Sequence, residues 1–286
     1  MKVGIGLPTT IPGADPEQVL EWARRAERAG FSSLGTLDRL VYPNYESLVT
    51  LGAAAAVTDR IGLMTGVLLL PYRQNAALVA KQAATVHRLS HGRLTLGVGL
   101  GSREDDYEAS GMTTRGRGRL MDEMLDRITR LWGGEEAGFA GGVGPDVSQD
   151  RPGLIVGGGA DASFRRAAQY GDGWMMGGGP PDRFPSSVEK LLAAWREHGR
   201  DGEPRRLALQ YFALGDDPEG ATRASIGHYY ASAGDYAEHA VATTAKGEDE
   251  VRERVRQFEE AGADELILFP ASAHPDQVDL LATAAL

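Results

Sequence analysis

Two joints in the chain share one pattern: ERAGFSSLGTL at residues 27–37 and EEAGADELILF at residues 259–269. In each, a charged helical run stops at Ala-Gly and an apolar run begins at once. Glycine at that point supplies the left-handed conformation that closes a helix, and the chain returns directly into a strand. The two joints lie near opposite ends of the sequence, and the same alternation fills the space between them.

Residues 2–7 (KVGIGL) form a first apolar run. Asp15-Pro16-Glu17-Gln18 then opens a helix, with Asp15 as N-cap, Pro16 at the first helical position and Gln18 placed for a capping box. Val19, Ala23, Ala26 and Ala29 share one face, and Gly30 ends it. Further strands are expected over 31–37, 61–70, 94–100, 153–158, 173–178, 206–214 and 264–269. Helices are expected at 45–58, 75–90, 117–132, 161–170, 182–198, over a long stretch from strand seven to Gly262, and at 275–286. Leu120, Met121, Met124, Leu125, Ile128, Leu131 and Trp132 give the 117–132 segment a clear 3.6-residue period. The strands are apolar without alternation, as in a parallel sheet buried on both faces. Eight strand–helix units in series predict a single α/β domain over residues 1–286, a (β/α)8 TIM-like barrel. Residues 133–151, before strand five, form the one long irregular loop, of a kind that is usually a lid or disordered.

A net charge of −10 argues against nucleic-acid or anionic-membrane partners. No apolar run reaches the roughly 18 residues of a membrane span, and the opening MKVGIGLP reads as a strand and not as a leader, so a cytoplasmic protein is expected. With no cysteine, disulfides and thiolate chemistry are excluded. P-loop and G-x-S-x-G motifs are absent. His87 and His91 read as helix-end histidines and not as zinc ligands. The acidic run REDDYE (103–108) is a helix first turn facing solvent or, less simply, a metal site; no metal is expected.

Barrel active sites lie at the C-terminal ends of the strands. There the sequence places Asp38-Arg39 after strand two, Gly66-Val67 in strand three, Gly99-Leu100-Gly101-Ser102 after strand four, Gly157-Gly158-Gly159-Ala160 after strand five and Gly177–Gly179 after strand six. Bare amides at a helix N-terminus bind anions, so the triple glycine reads as a phosphate cradle, with Ser163 and Arg165 or Arg166 as added donors; its alternative is a tight turn. Residues 157–162 also fit G-x-G-x-x-A, but four strand–helix units precede them and the next strand ends in glycine, against a dinucleotide fold.

AGFSSLGTLD (29–38), LSHGRLTLGVGLG (89–101) with EDDYEASG (104–111), and LIVGGGADASFRRAAQYGDGWM (154–175) resemble the bacterial luciferase-like family of flavin- and deazaflavin-dependent oxidoreductases, in order and spacing over nearly the whole chain. The resemblance implies FMN or the deazaflavin coenzyme F420 at the strand C-termini. Its phosphate would lie on Gly157–Ala160, its side chain against Gly99–Gly101, and its rings before Val67, where many relatives have a non-prolyl cis peptide; whether Gly66–Val67 is cis here the sequence leaves open. It also implies monooxygenation or hydride transfer on a small organic substrate, a homodimer through the helices beside strands two and three (LGAAAAV, 51–57, included), and, for a monooxygenase, a separate flavin reductase. The alternative is a non-catalytic flavin-binding or ligand-sensing relative. Asp38 is the candidate polar group near the ring, or else a cap. Arg39, with Asp38 a candidate catalytic residue, stands where several deazaflavin dehydrogenases have histidine; always charged, it moves no proton but can pin an anionic substrate or a reduced-flavin charge. Ser102 stands where sugar-phosphate-oxidising relatives have glutamate, which argues against that chemistry. Ser102, His228 and Tyr229 are candidate substrate-pocket residues, with Tyr230 beside them, and Trp174 is expected in the core.

Overall fold

The computed structural model describes all residues, 1–286. Eight parallel strands close on themselves: β1 (Lys2–Gly6), β2 (Ser33–Thr36), β3 (Gly62–Thr65), β4 (Leu94–Gly99), β5 (Gly153–Gly157), β6 (Gly173–Met176), β7 (Arg205–Ala213) and β8 (Glu265–Pro270). Each pairs with its neighbours in sequence, and β8 closes on β1 with Lys2 opposite Glu265 and Ile5 opposite Leu268. The expected (β/α)8 barrel is therefore the fold. An outer ring follows in chain order: α1 (Pro16–Ala29), α2 (Ser47–Ala55), α3 (Ala76–Leu89), α4 (Arg117–Trp132), α5 (Asp161–Tyr170), α6 (Phe184–Glu197), α7 (Glu248–Glu260) and α8 (Asp276–Ala285).

Local chemistry explains the helix ends. Asp15 accepts from the Glu17 amide, Gln18 reaches back to the Asp15 amide, and Gly30 closes α1 at φ 98°. On α4, Met121, Met124, Leu125, Ile128, Leu131 and Trp132 are all buried, each such side chain contributing about 1.5–3 kcal/mol. Arg25 of α1 reaches Asp276 and Asp279 of α8, each at 3.0 Å, across the seam where the ring closes.

Strand three is interrupted. Gly66–Val67 is a cis peptide, and the chain resumes pairing at Leu68–Leu69, opposite Val98 and Gly99. The expected 61–70 strand is thus two pieces about a step.

The two long connections sit at opposite ends of the barrel. Residues 133–151 join a helix to the next strand, so they lie at the N-terminal face, away from the glycine rim. Most of the segment is exposed, but Val147 anchors it in the core, Lys81 donates to the Gly144 carbonyl at 3.0 Å, and Glu136–Gly138 pairs with Gly141–Gly142 as a small hairpin. This segment is therefore no lid over the site. The connection from β7 to α7, residues 214–247, lies at the C-terminal face. It is not one helix, as the sequence suggested, but several short helical pieces (Pro218–Thr222, Arg223–Gly227, Ala231–Ala233 and the nine-residue α-helix Asp235–Thr243) and a strand piece, Ala245–Lys246. Gly234 at φ 58° and Gly247 at φ 97° break the run, since neither conformation continues a helix.

Candidate active site

Three adjoining hollows open on the C-terminal face. A cleft of about 440 Å³ is floored by Gly157–Gly159 and Gly177–Gly179. A well of about 160 Å³ lies over Gly66–Val67, and an outer hollow of about 830 Å³ is bordered by Arg39, Ser102, Arg103 and Glu104. Tyr230 borders all three.

The cleft has the makings of an anion site. The amides of Gly158, Gly159 and Ala160 donate to no protein acceptor, and α5 starts at Asp161 without a side-chain cap. A Cβ on Gly159 would meet nothing within 4 Å, so that position faces open space. Gly158, at φ 123°, is held from below by Trp174, whose indole Nε1 donates to its carbonyl at 2.7 Å. Trp174 is also core, as expected, packed between Phe164 and Phe184. Ser163 is buried beside the turn, its Oγ 2.6 Å from where a Gly158 Cβ would stand. The expected arginines are elsewhere: Arg166 turns away to Asp122 at 2.5 Å, and Arg165 is exposed to solvent. The cation on the cleft is Arg183, at the start of α6, with Ser187 one turn on. Lys190 holds Asp161, the one carboxylate in the first turn of α5, at 3.1 Å. Opposite, the Gly179 carbonyl accepts from Gln210, which Arg254 braces at 2.6 Å.

The glycines of β4 have a different duty. A Cβ on Gly97 would stand 2.1 Å from the Thr65 carbonyl, and one on Gly99 2.6 Å from Val67 Cγ2. Gly157 likewise clears Val67, at 2.9 Å. These residues admit the step in strand three, so packing against Val67 is reason enough for Gly99 to be bare. Gly101, at φ 70°, turns the chain into the well's wall. Leu100 lines none of the hollows; its carbonyl accepts from Tyr107. Ala160 is the exposed N-cap of α5.

Asp38 is neither a free acid nor a helix cap. Its Oδ2 accepts from the Leu69 amide at 2.8 Å and Tyr72 Oη at 2.7 Å, and its Oδ1 from Arg73 at 2.9 Å and Ser47 Oγ at 3.3 Å. It ties the end of β2 to the segment after the step. Arg39 is nearly enclosed, with Nη1 3.2 Å from Asp106 and its guanidinium 5.0 Å over the Tyr229 ring. Asp106 is buried and also accepts from the Leu40 and Val41 amides, so REDDYE is only partly a solvent-facing turn. No group of carboxylates or histidines suits a metal ion. His87 is buried at the helix end as expected, 3.6 Å from Asp150.

Of the candidate substrate-pocket residues, Tyr229 lines the well and Ser102 lines both the well and the outer hollow. His228 does not: it is exposed outside, its Nδ1 2.8 Å from Tyr42 Oη. The sequence reading missed Tyr211, Tyr236 and Arg183. Tyr211 sits inside β7 with its hydroxyl 2.6 Å from that of Tyr230, and Tyr236 reaches the Gly178 carbonyl at 3.3 Å. Burial pushes the Tyr229 hydroxyl up to about 12 and also raises those of Tyr211 and Tyr230.

The family model for luciferase-like monooxygenases matches residues 1–278. The chain belongs to the luciferase-like family. An uncharacterized protein of Mycobacterium tuberculosis is 35% identical over 208 residues, 62% of this chain and 71% of that protein. An F420-dependent glucose-6-phosphate dehydrogenase of Kribbella flavida is 29% identical over 213 residues, 69% of this chain and 63% of that one. Two solved structures share the luciferase-like fold. An F420-dependent secondary alcohol dehydrogenase superimposes with TM-score 0.81 at 21% identity, over 99% of this chain and 98% of that one. The oxygenating constituent of 3,6-diketocamphane monooxygenase from Pseudomonas putida, in complex with FMN, does so with TM-score 0.76 at 17% identity, over 100% and 96%. The cis step and the glycine cradle of this chain thus stand in the luciferase-like barrel that its motifs suggested.

Proposed function

We propose that this luciferase-like protein is an oxidoreductase that binds F420 or FMN and acts on a small organic substrate. The unpaired amides of Gly158–Ala160, facing open space at Gly159, carry the reading. They suit a phosphate, with Arg183 as its cation and the dipole of α5 behind it. The well against Val67 suits the edge of a flat ring system, and the outer hollow past Arg39 and Ser102 suits the substrate. Bound there, either coenzyme supplies hydride transfer, and reduced FMN also oxygen activation. The chain's own residues orient it, exclude water through Tyr229 and Tyr230, and hold the substrate oxygen.

The test is equilibrium titration of F420 and of FMN into the native protein and Gly159→Val. The native protein is expected to bind at least one of them. Valine at 159 enters empty space in the free protein but occupies the place of the phosphate, so affinity should fall about tenfold or more with unchanged melting temperature. Undiminished affinity removes this reading.

Action as a homodimer is part of the proposal. Leu40, Val41, Val49 and Leu78 are exposed on neighbouring elements around α2 and α3, although Leu51, Ala54 and Ala55 of the small-residue run face the barrel. Light scattering on the purified protein reads this directly, and a monomer at working concentration removes it. A monomer would leave the coenzyme site as described.

A further inference from the structure

The cleft has two glycine rims, and they are built alike. On the first, the Gly158 carbonyl is tied back by Trp174 at 2.7 Å. The C=O and N–H of a trans peptide point opposite ways, so the Gly159 amide is turned from Trp174 toward the open side. On the second rim, the Gly178 carbonyl accepts from Tyr236 Oη at 3.3 Å and the Gly179 carbonyl from Gln210 Nε2 at 2.7 Å. The amides of Gly177, Gly178 and Gly179 donate to no protein acceptor, like those of Gly158, Gly159 and Ala160 across the cleft.

The Gly179 carbonyl is the weak point of the second rim. Pro180 and Pro181 follow it, so its peptide carries no N–H. Turned into the cleft, that carbonyl would set the negative end of a dipole against an anion, with no donor of its own peptide to offset it. Gln210 prevents this. It stands in β7, 2% exposed, and lines none of the hollows, so the carbonyl it holds points into the wall. An arginine only donates, so the bond from Arg254 at 2.6 Å fixes the oxygen end of the Gln210 amide and leaves the nitrogen for Gly179. Arg254 makes this bond and one to the Thr243 carbonyl at 3.1 Å, although burial works against its charge and lowers its pKa. An apolar side chain at 210 would pack without desolvating an amide. A buried amide held at both ends gives direction, which packing does not require.

We propose that Gln210, set by Arg254, is a positioning residue for the phosphate of the coenzyme: it holds the Gly179 carbonyl out of the cleft, so that the Gly177–Gly179 rim meets the phosphate with amides only. This rests on the coenzyme reading above. Gln210 acts through Gly179 and touches no ligand itself.

The test compares ligands with and without phosphate. Native protein and Gln210→Met are titrated with FMN and riboflavin, and with F420 and its phosphate-free deazariboflavin, followed by the ligands' fluorescence. Methionine keeps the volume and the net charge, so the substitution removes the donor to Gly179. The phosphate-bearing coenzyme that the native protein binds should bind the variant about tenfold more weakly, while its phosphate-free form binds both proteins equally. A packing role alone would weaken both forms alike. Inorganic phosphate, added as a competitor, should lose affinity by the same factor, which reports the anion site without the ring. If Gln210→Met does not fold, Gln210→Asn carries the same expectation, since it is one methylene too short to span from β7 to Gly179. Undiminished affinity for the phosphate-bearing coenzyme overturns the proposal, as do equal losses with and without phosphate, or unchanged competition by inorganic phosphate. Each of these leaves the coenzyme reading standing, whereas failure of the native protein to bind either coenzyme overturns the reading beneath.

Discussion

Gly97 and Gly159 belong to two glycine-rich strand ends that look alike in sequence, GVGLG at 97–101 and GGGA at 157–160. In space they differ. A side chain on Gly97 would run into the backbone of β3, and one on Gly99 into Val67, whereas one on Gly159 would meet nothing. The first set is bare because the protein packs there, the second because the protein stops there. Bare backbone in a strand end therefore carries two meanings, and only the neighbours distinguish them.

Substitutions should separate the two meanings. The largest effect is expected at Gly97→Ala, since the Thr65 carbonyl 2.1 Å away is backbone and cannot give. Denaturant unfolding should show a loss of about 3 kcal/mol or more, and a loss below about 1 kcal/mol would break the comparison. Gly99→Ala meets only a side-chain methyl, at 2.6 Å, and should cost about 1–3 kcal/mol. Val67→Ala in the same chain should return most of it, and additive losses in the double variant would show that Val67 is not the obstacle. Gly159→Val is the counterpart, with stability kept and coenzyme affinity lost. Arg183→Ala should weaken coenzyme binding about tenfold through one charge-assisted hydrogen bond, more at low salt than at high; a salt-independent effect would remove its phosphate role.

The smallest expected effect concerns Tyr229. Burial raises its pKa from 10.0 to about 12, so the folded state holds the proton longer than the unfolded chain. Its contribution to stability is whole below pH ~10 and is lost as pH rises from there toward 12. Melting temperature should decline over that window, and less steeply in Tyr229→Phe. Equal slopes in the two proteins would show that Tyr229 is not a source of the decline.

Much of the site was legible, and the reason differs by residue. The triple glycine stands at the end of a barrel strand, as its motif placed it, and Gly66–Val67 stands at the end of strand three. Asp38 was recognised as important, but its four donors come from Ser47, Leu69, Tyr72 and Arg73, which no local pattern links to it. His228 and Tyr229 are adjacent, yet only Tyr229 lines the well, because neighbours on a helical turn point to different sides. Arg183 carried no signal, as a lone arginine after a Pro-Pro-Asp turn. Length and a glycine-rich, acidic composition suggest a lid or a disordered stretch at 133–151, although its place between a helix and a strand sets it at the far face.

By itself, the sequence determined the alternation of strands and helices, their caps and their number. Those depend on spacings of two to four residues, and each glycine, proline or capping aspartate acts on its own turn. Closure of the barrel brought together Arg39 with Asp106 and Tyr229, Tyr211 with Tyr230, and Arg183 with the triple glycine. These contacts cross from one strand–helix unit to another, and the packing of whole elements fixes them. That is why tertiary structure alone decided which glycines face open space and which face Val67.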